Sequence, residues 1–176
     1  PSLPARRDQL TQRMPMGTVI KTIAIYERPF WRERGLSGQA VFEDGPVQVS
    51  FDTTPKGGAP GMLVGFCLAD RARALLDRTT EERAPLVLES FARAFGDEAR
   101  RPLRYLDHSW AEEPFSRGCY VGLLSPGAWT GYGAALAAPC GRIHWAGTET
   151  STRWNGYFEG AVLAGRRAAA EVLEAG

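Results

Sequence analysis

The chain has 176 residues, 44% of them hydrophobic and 23% charged; at roughly 100–200 residues per domain that is one domain or a little more, with material for a real core. Such a composition excludes a disulfide-stapled miniprotein, a disordered tail and a collagen-like repeat. Its 21 basic residues against 20 acidic ones leave a formal charge of +1, which gives nucleic acid no broad electrostatic reason to bind.

Residues 1–13 are polar, which is not a signal peptide, and no stretch of the chain approaches the ~20 apolar residues of a membrane helix. The chain opens on Pro1 without an initiator methionine, so a processed product or an excised piece of something longer is expected. Thr18–Tyr26 is rich in β-branched residues and closed by Pro29, which predicts a strand interrupted by Lys21. Gly38–Glu43 and Val47–Asp52 flank the turn signal Asp44-Gly45-Pro46 and predict a hairpin; Met62–Leu68 predicts the next strand. The period then changes. Ala69–Asp77 predicts a short helix, and Thr79-Thr80-Glu81-Glu82 is a capping-box pattern opening a second one that ends near Gly96. Ala84, Leu88, Phe91 and Phe95 are its expected buried face, and Pro85 is expected to bend or shorten its first turn.

Leu103–Trp110 returns to strand character, and Glu112–Pro139 is a Gly-, Pro- and Ser-rich loop region of the kind that often carries function. Arg142–Ala146 predicts a short buried strand. A final helix is expected from about Gly156, burying Phe158, Ala161, Val162, Gly165, Ala169, Val172 and Leu173. Its small residues Gly160, Ala161, Ala164 and Gly165 permit a close backbone approach.

Three widely spaced cysteines, Cys67, Cys119 and Cys140, argue against a disulfide framework and for a reducing, cytoplasmic setting. His108 and His144 form no metal-ligand spacing with them, so no metal is expected. Gly131-Tyr132-Gly133-Ala134-Ala135 lacks the third glycine and the preceding strand of a dinucleotide fingerprint, and reads as a turn. Arg142–Thr150 followed by Arg153–Ala161 is a strand, a polar loop and a helix start. Free amides there favour an electron-rich ligand group, although an ordinary strand–loop–helix joint has the same pattern. Taken singly, Tyr120 and Tyr157 read as half-buried core tyrosines, Phe51 and Phe66 as core packing, and Lys21 as a strand lysine pointing outward. Asp107 and His108 have no evident partner and read as structural.

Together these segments, with Ser116-Arg117-Gly118-Cys119-Tyr120, Met62–Phe66, Pro29-Phe30-Trp31 and Met16–Lys21, occur in one order over nearly the whole chain. In that order they resemble the C-terminal portion of the flavin-containing monoamine oxidase family. The resemblance implies FAD as cofactor, with Cys119, Trp110, Gly147, Thr148, Glu149, Gly156, Tyr157 and Phe158 toward it. It implies a thioether from Cys119 to the flavin 8α-carbon, although Arg117 departs from the small residue expected there and a free buried thiol stays open. By the same resemblance Lys21 holds a water at flavin N5, Tyr120 and Tyr157 flank the substrate amine, and Phe51 and Phe66 line the substrate cavity.

The implied fold is α+β: a mixed, mostly antiparallel sheet with helices, then a strand–helix unit of a flavin-binding α/β domain. Residues 1–12 would be a connecting segment, 13–110 part of a substrate-binding domain and 111–176 the C-terminal part of the FAD-binding domain. The implied reaction is oxidative deamination of an aromatic or apolar monoamine to an aldehyde, with oxygen reduced to hydrogen peroxide. Polyamine and L-amino-acid oxidation are the alternatives within the superfamily, and a non-catalytic binding or scaffold fragment is the alternative outside it. Expected partners are the small-molecule amine, oxygen, the missing N-terminal FAD-binding portion and a second copy in a homodimer, with neither nucleic acid nor membrane. Without a dinucleotide fingerprint, this chain alone is expected not to hold FAD and to be inactive.

Overall fold

The computed structural model describes residues 2–175. In chain order its main elements are α1 (Ala5–Gln12), β1 (Val19–Tyr26), a single turn α2 (Phe30–Glu33), β2 (Ala40–Val41), β3 (Val49–Asp52), β4 (Gly61–Leu68), α3 (Ala69–Arg73), α4 (Thr80–Phe95), β5 (Arg104–Ser109), α5 (Ala128–Tyr132) and α6 (Phe158–Ala175). They fall into two compact units. One is Thr18–Cys119; the other joins the stretch up to Gly17 with everything from Tyr120 onward.

The middle unit is built on a five-stranded sheet in the order β2-β3-β4-β1-β5, with every pairing antiparallel, within the mostly antiparallel arrangement that the family resemblance implies. Alternation along β1 sends Ile20, Thr22, Ala24 and Tyr26 into the core and leaves Lys21 exposed on the opposite face. On the core face, Ile20, Leu63 and Cys67 join Trp31, Val87, Phe91 and Phe95 in one buried cluster. Each such large apolar side chain contributes roughly 1.5–3 kcal/mol by leaving water. Gly65 lets α4 lie close, since a Cβ there would come within 2.8 Å of both Phe91 and Thr22.

Helix α4 opens with the expected capping box: the Glu82 amide donates to Thr79 Oγ1 at 3.3 Å and the Thr79 amide to Glu82 Oε2 at 2.8 Å. Its buried face is centred one residue away from the expected one. Arg83, Val87, Phe91 and Phe95 are buried, while Ala84 and Leu88 flank them half-buried. The shift is explained by Arg83, whose charge is matched inside by Asp107 of β5. Pro85 does not shorten the helix, which runs unbroken from Thr80 to Phe95; its missing N–H falls in the second turn, where only one intrahelical bond is lost. Helix α3 ends at Arg73, short of the predicted Asp77.

In the other unit, Leu10 of α1 is buried with Ala135 and Leu136. The Arg7 guanidinium lies 3.6 Å from the centroid of the Trp145 ring and donates to the carbonyls of Ala135 and Leu136, both at 2.8 Å. The stretch Gly131–Ala135, read as a turn, is instead the end of α5 and a 3₁₀ turn. Arg142–Ala146 is not a strand: only a Cys140–Ile143 bridge forms, because no other strand among the described residues pairs with it.

The expectation for α6 is also corrected. It starts at Phe158 and buries Gly160, Ala164 and Ala168. Phe158, Val162, Val172 and Leu173 are 94%, 47%, 53% and 82% exposed, and Ala161 and Ala169 are exposed as well. The small-residue stripe therefore packs within this chain, and the large apolar stripe has no cover in it.

Candidate active site

On the open face of the sheet, cross-strand pairing places side chains in rows. Lys21 lies opposite Phe66 on β4 and His108 on β5, and Phe66 lies opposite Val49 on β3. The next row is Phe51, Val64, Ile23 and Leu106. Three residues widely separated in sequence, Lys21, Phe51 and Phe66, thus share one face. The Phe51 and Phe66 rings meet edge-to-face with centroids 6.3 Å apart, a favoured aromatic geometry. No strand position on that face carries a carboxylate; its basic residues are Lys21, Arg104 and His108.

Beside Lys21 a cleft of about 500 Å³ is lined by Ile23, Leu106, His108, Trp110 and Glu113. Trp110, placed by a 3₁₀ turn directly after β5, meets the His108 ring edge-on at 4.8 Å. His108 Nε2 lies 3.1 Å from Glu113 Oε1. Sequence reasoning missed His108 and Glu113 as neighbours of Lys21, because nothing local announces that β5 pairs with β1. It missed Arg83 as well, which meets Asp107 through Nε at 2.9 Å and Nη2 at 2.8 Å. Burial alone would raise the Asp107 pKa; the bonds from Arg83, Thr80 and Tyr105 outweigh it and hold the carboxyl below its ordinary range.

Cys119 is half-buried, and burial pushes its thiol pKa up, the direction that opposes thiolate formation. Two residues before it, Arg117 has φ 55° and Gly118 has φ 148°. An arginine in the left-handed region costs about 1–2 kcal/mol, which is the physical reason a small residue suits that position.

The other unit gathers the remaining candidates around the start of α6. Gly147, at φ 106°, opens a 3₁₀ turn over Thr148–Thr150. Thr148 Oγ1 donates to the Tyr157 carbonyl at 3.0 Å, and Asn155 Nδ2 donates to the Glu149 carbonyl at 3.0 Å. Glu149 Oε1 accepts the Gly122 amide at 3.0 Å. Gly156, at φ 85°, backs onto Val121, and the Trp154 and Tyr157 rings meet edge-on at 6.1 Å. Gly160 is indispensable to this arrangement, since a Cβ there would stand 2.2 Å from the Trp154 carbonyl oxygen. Tyr120, Tyr157 and Phe158 are 59%, 67% and 94% exposed.

The middle unit thus offers an antiparallel sheet with an apolar, cationic open face, and the second unit offers a glycine-shaped loop running into a long helix. The profile of the family described as "Flavin containing amine oxidoreductase" matches residues 1–173, and the chain belongs to that family. It is 48% identical over 174 residues to the Dictyostelium discoideum protein named "Probable flavin-containing monoamine oxidase A", covering 99% of this chain and 38% of that protein. To "Amine oxidase [flavin-containing] B" of Bos taurus it is 45% identical over 178 residues, covering 99% and 34%.

Among solved structures, wild-type putrescine oxidase bound to putrescine matches with a TM-score of 0.92 at 36% identity, covering 99% of this chain and 39% of that one. Cyclohexylamine oxidase from Brevibacterium oxydans matches at 0.90 and 37%, with the same coverage. The chain therefore spans less than two fifths of the length of these relatives.

A flavin suits the residues at the start of α6. Trp154, Tyr157 and Phe158 stand exposed there at 60%, 67% and 94%, offering flat apolar surface to a planar ring system. Among the described residues no group of three or more His, Cys, Asp or Glu side chains could hold a metal, and no helix is long and apolar enough to cross a membrane.

Proposed function

We propose that this chain is the C-terminal part of an oxidase that deaminates an aromatic or apolar monoamine to an aldehyde, reducing oxygen to hydrogen peroxide. The observation that carries the substrate class is the open sheet face. It presents Phe51, Phe66, Ile23 and Leu106 around Lys21 with no carboxylate on its strands, so it suits an apolar or aromatic body. A second ammonium on a diamine would lose its water over these strands, where the carboxylates at the cleft edge are already engaged, Glu113 by His108 at 3.1 Å and Asp107 by Arg83 at 2.8 Å.

When bound, the flavin supplies the redox chemistry. The chain's own residues bind and orient. Phe51 and Phe66 wall the substrate, and the electron-rich faces of Tyr120 and Tyr157 align the amine. Lys21 holds a water for the oxygen-dependent step, and Trp110 closes the cleft beside it. Residues 13–110 form the substrate-binding portion and 111–176 the flavin-binding portion, with 1–12 connecting. The exposed apolar stripe of α6, from Phe158 to Leu173, supports a cover supplied by an N-terminal FAD-binding portion of the parent chain. Cys119 is the residue for a covalent flavin link, and three free cysteines accord with a reducing cytoplasm.

The test is peroxide formation by the full-length parent with an aromatic monoamine against putrescine. Preference for putrescine would reject the monoamine reading. Stopped-flow work on Lys21→Met should find reoxidation slowed more than amine-driven reduction, and equal damage to both half-reactions would reject the role given to the lysine.

A further inference from the structure

Glu149 and Gly122, the latter two residues after Tyr120, lie 27 residues apart in sequence, and a side-chain bond joins them. Met16 and Gly122 form an isolated antiparallel bridge in which the Gly17 amide donates to the Val121 carbonyl at 3.1 Å and the Leu123 amide to the Pro15 carbonyl at 2.8 Å. That pairing occupies the groups on either side of Gly122 and leaves the Gly122 amide pointing away from the bridge. Glu149 Oε1 takes it at 3.0 Å. The same loop then turns at Gly156 so that its backbone backs onto the Val121 side chain, where a Cβ on Gly156 would come within 3.7 Å.

Tyr120 precedes Val121 and Tyr157 follows Gly156, so both tyrosines hang from one clamped contact. We infer that Glu149 is a positioning residue: its carboxylate fixes the Tyr120–Gly122 segment on the Gly147–Gly156 loop and thereby sets the spacing of the tyrosine pair. Its own geometry is fixed in turn, because Asn155 holds its carbonyl and the Gly147 turn folds the side chain back, with Oε2 3.3 Å from where a Gly147 Cβ would stand. A charged acceptor makes a stronger bond to a backbone amide than a neutral one, and a reactant misplaced by about 1 Å loses on the order of a hundredfold in rate. This role rests on the reading that Tyr120 and Tyr157 orient the amine.

Glu149→Gln and Glu149→Asp separate the clamp from any direct effect of charge. Glutamine keeps the reach and an acceptor oxygen while losing the charge; aspartate keeps the charge and is one methylene too short. In the full-length holoenzyme, Glu149→Asp should slow the reductive half-reaction by about tenfold to a hundredfold, and Glu149→Gln should recover most of that loss. Amide hydrogen exchange at Gly122 should quicken at least tenfold in the aspartate variant and much less in the glutamine one. The reverse order, with aspartate mild and glutamine severe, overturns the clamp in favour of the charge, and unchanged exchange at Gly122 in both overturns it outright. Tyr120→Ala and Tyr157→Ala run alongside: a normal reductive half-reaction in both rejects the tyrosine reading, while the exchange result still decides whether Glu149 holds Gly122.

Discussion

Removing Arg83 should damage the protein more than removing Arg83 and Asp107 together. The two side chains are 7% and 0% exposed, and Asp107 accepts four bonds: Arg83 Nε and Nη2, Thr80 Oγ1 at 2.8 Å and the Tyr105 hydroxyl at 3.1 Å. Arg83→Met leaves that carboxylate dry and short of its two charge-assisted donors, and breaking a buried pair from one side costs about 3–5 kcal/mol. Asp107→Leu strands the guanidinium with comparable cost. The double substitution buries neither charge, so most of the loss should return, and the coupling in the cycle should exceed ~2 kcal/mol. The pH dependence has a fixed sign. The Asp107 pKa is lowered on folding, so its contribution is present above the ordinary carboxylate pKa and fades as pH falls through the folded value. The advantage of the wild type over the double variant should shrink with acidification. Urea unfolding of the four proteins at neutral and acid pH measures both effects. Single losses under ~1 kcal/mol, or simple additivity, would refute the assignment of a buried, mutually dependent pair.

Asp52, with a side chain 8% exposed, receives the Trp31 indole at 2.8 Å and Arg32 at 2.7 Å; burial opposes its charge, yet these bonds and those from Thr54 bring its pKa to about 2. It should contribute about 1–2 kcal/mol at neutral pH that disappears between about pH 4 and 2, seen as a flattened acid limb in the melting curves of Asp52→Asn. Arg117→Gly removes left-handed strain and should raise stability by up to about 1 kcal/mol; a fall in unfolding midpoint would contradict the strain argument. Acid precipitation of the full-length protein should leave flavin in the pellet, and Cys119→Ala should release it to the supernatant. Flavin freed from the wild type would reject the covalent link.

What the sequence displayed clearly was whatever depends on neighbours in the chain. The β-branched run at Val19–Tyr26, the Asp44-Gly45-Pro46 hairpin and the Thr79–Glu82 capping box carry their geometry in their own spacing, and each forms near its predicted bounds. Lys21 was legible as an outward residue by alternation alone. What was hidden depends on partners far away. Hydrophobic spacing in α6 marks two stripes, small and large, without saying which one this chain covers. Arg83 looks like a surface residue until Asp107 arrives from 24 positions away. The Arg142–Ala146 stretch reads as a short strand in sequence and lacks, among the described residues, a neighbouring strand to pair with. The site divides the same way: motif resemblance nominated Lys21, Tyr120 and Tyr157, while His108 beside Lys21 and the Glu149–Gly122 bond came only from the folded chain.

The bridge between Met16 and Gly122 has a consequence for biosynthesis. The chain leaves one unit after Gly17 and re-enters it at Tyr120, and the Gly17 amide is bonded to the Val121 carbonyl at 3.1 Å, so exit and return are neighbours. Closing a flexible loop of ~100 residues would cost several kcal/mol of chain entropy. A ribosome emits residues 18–119 before residue 120 appears, and that segment already contains its whole sheet and core. If it folds on emergence, its ends are delivered close together and most of the closure entropy has been met before the C-terminal stretch is made. The middle unit then acts as a folded insert of the kind tolerated between adjacent surface positions. Assembly of the split unit waits until the residues from Tyr120 onward are made.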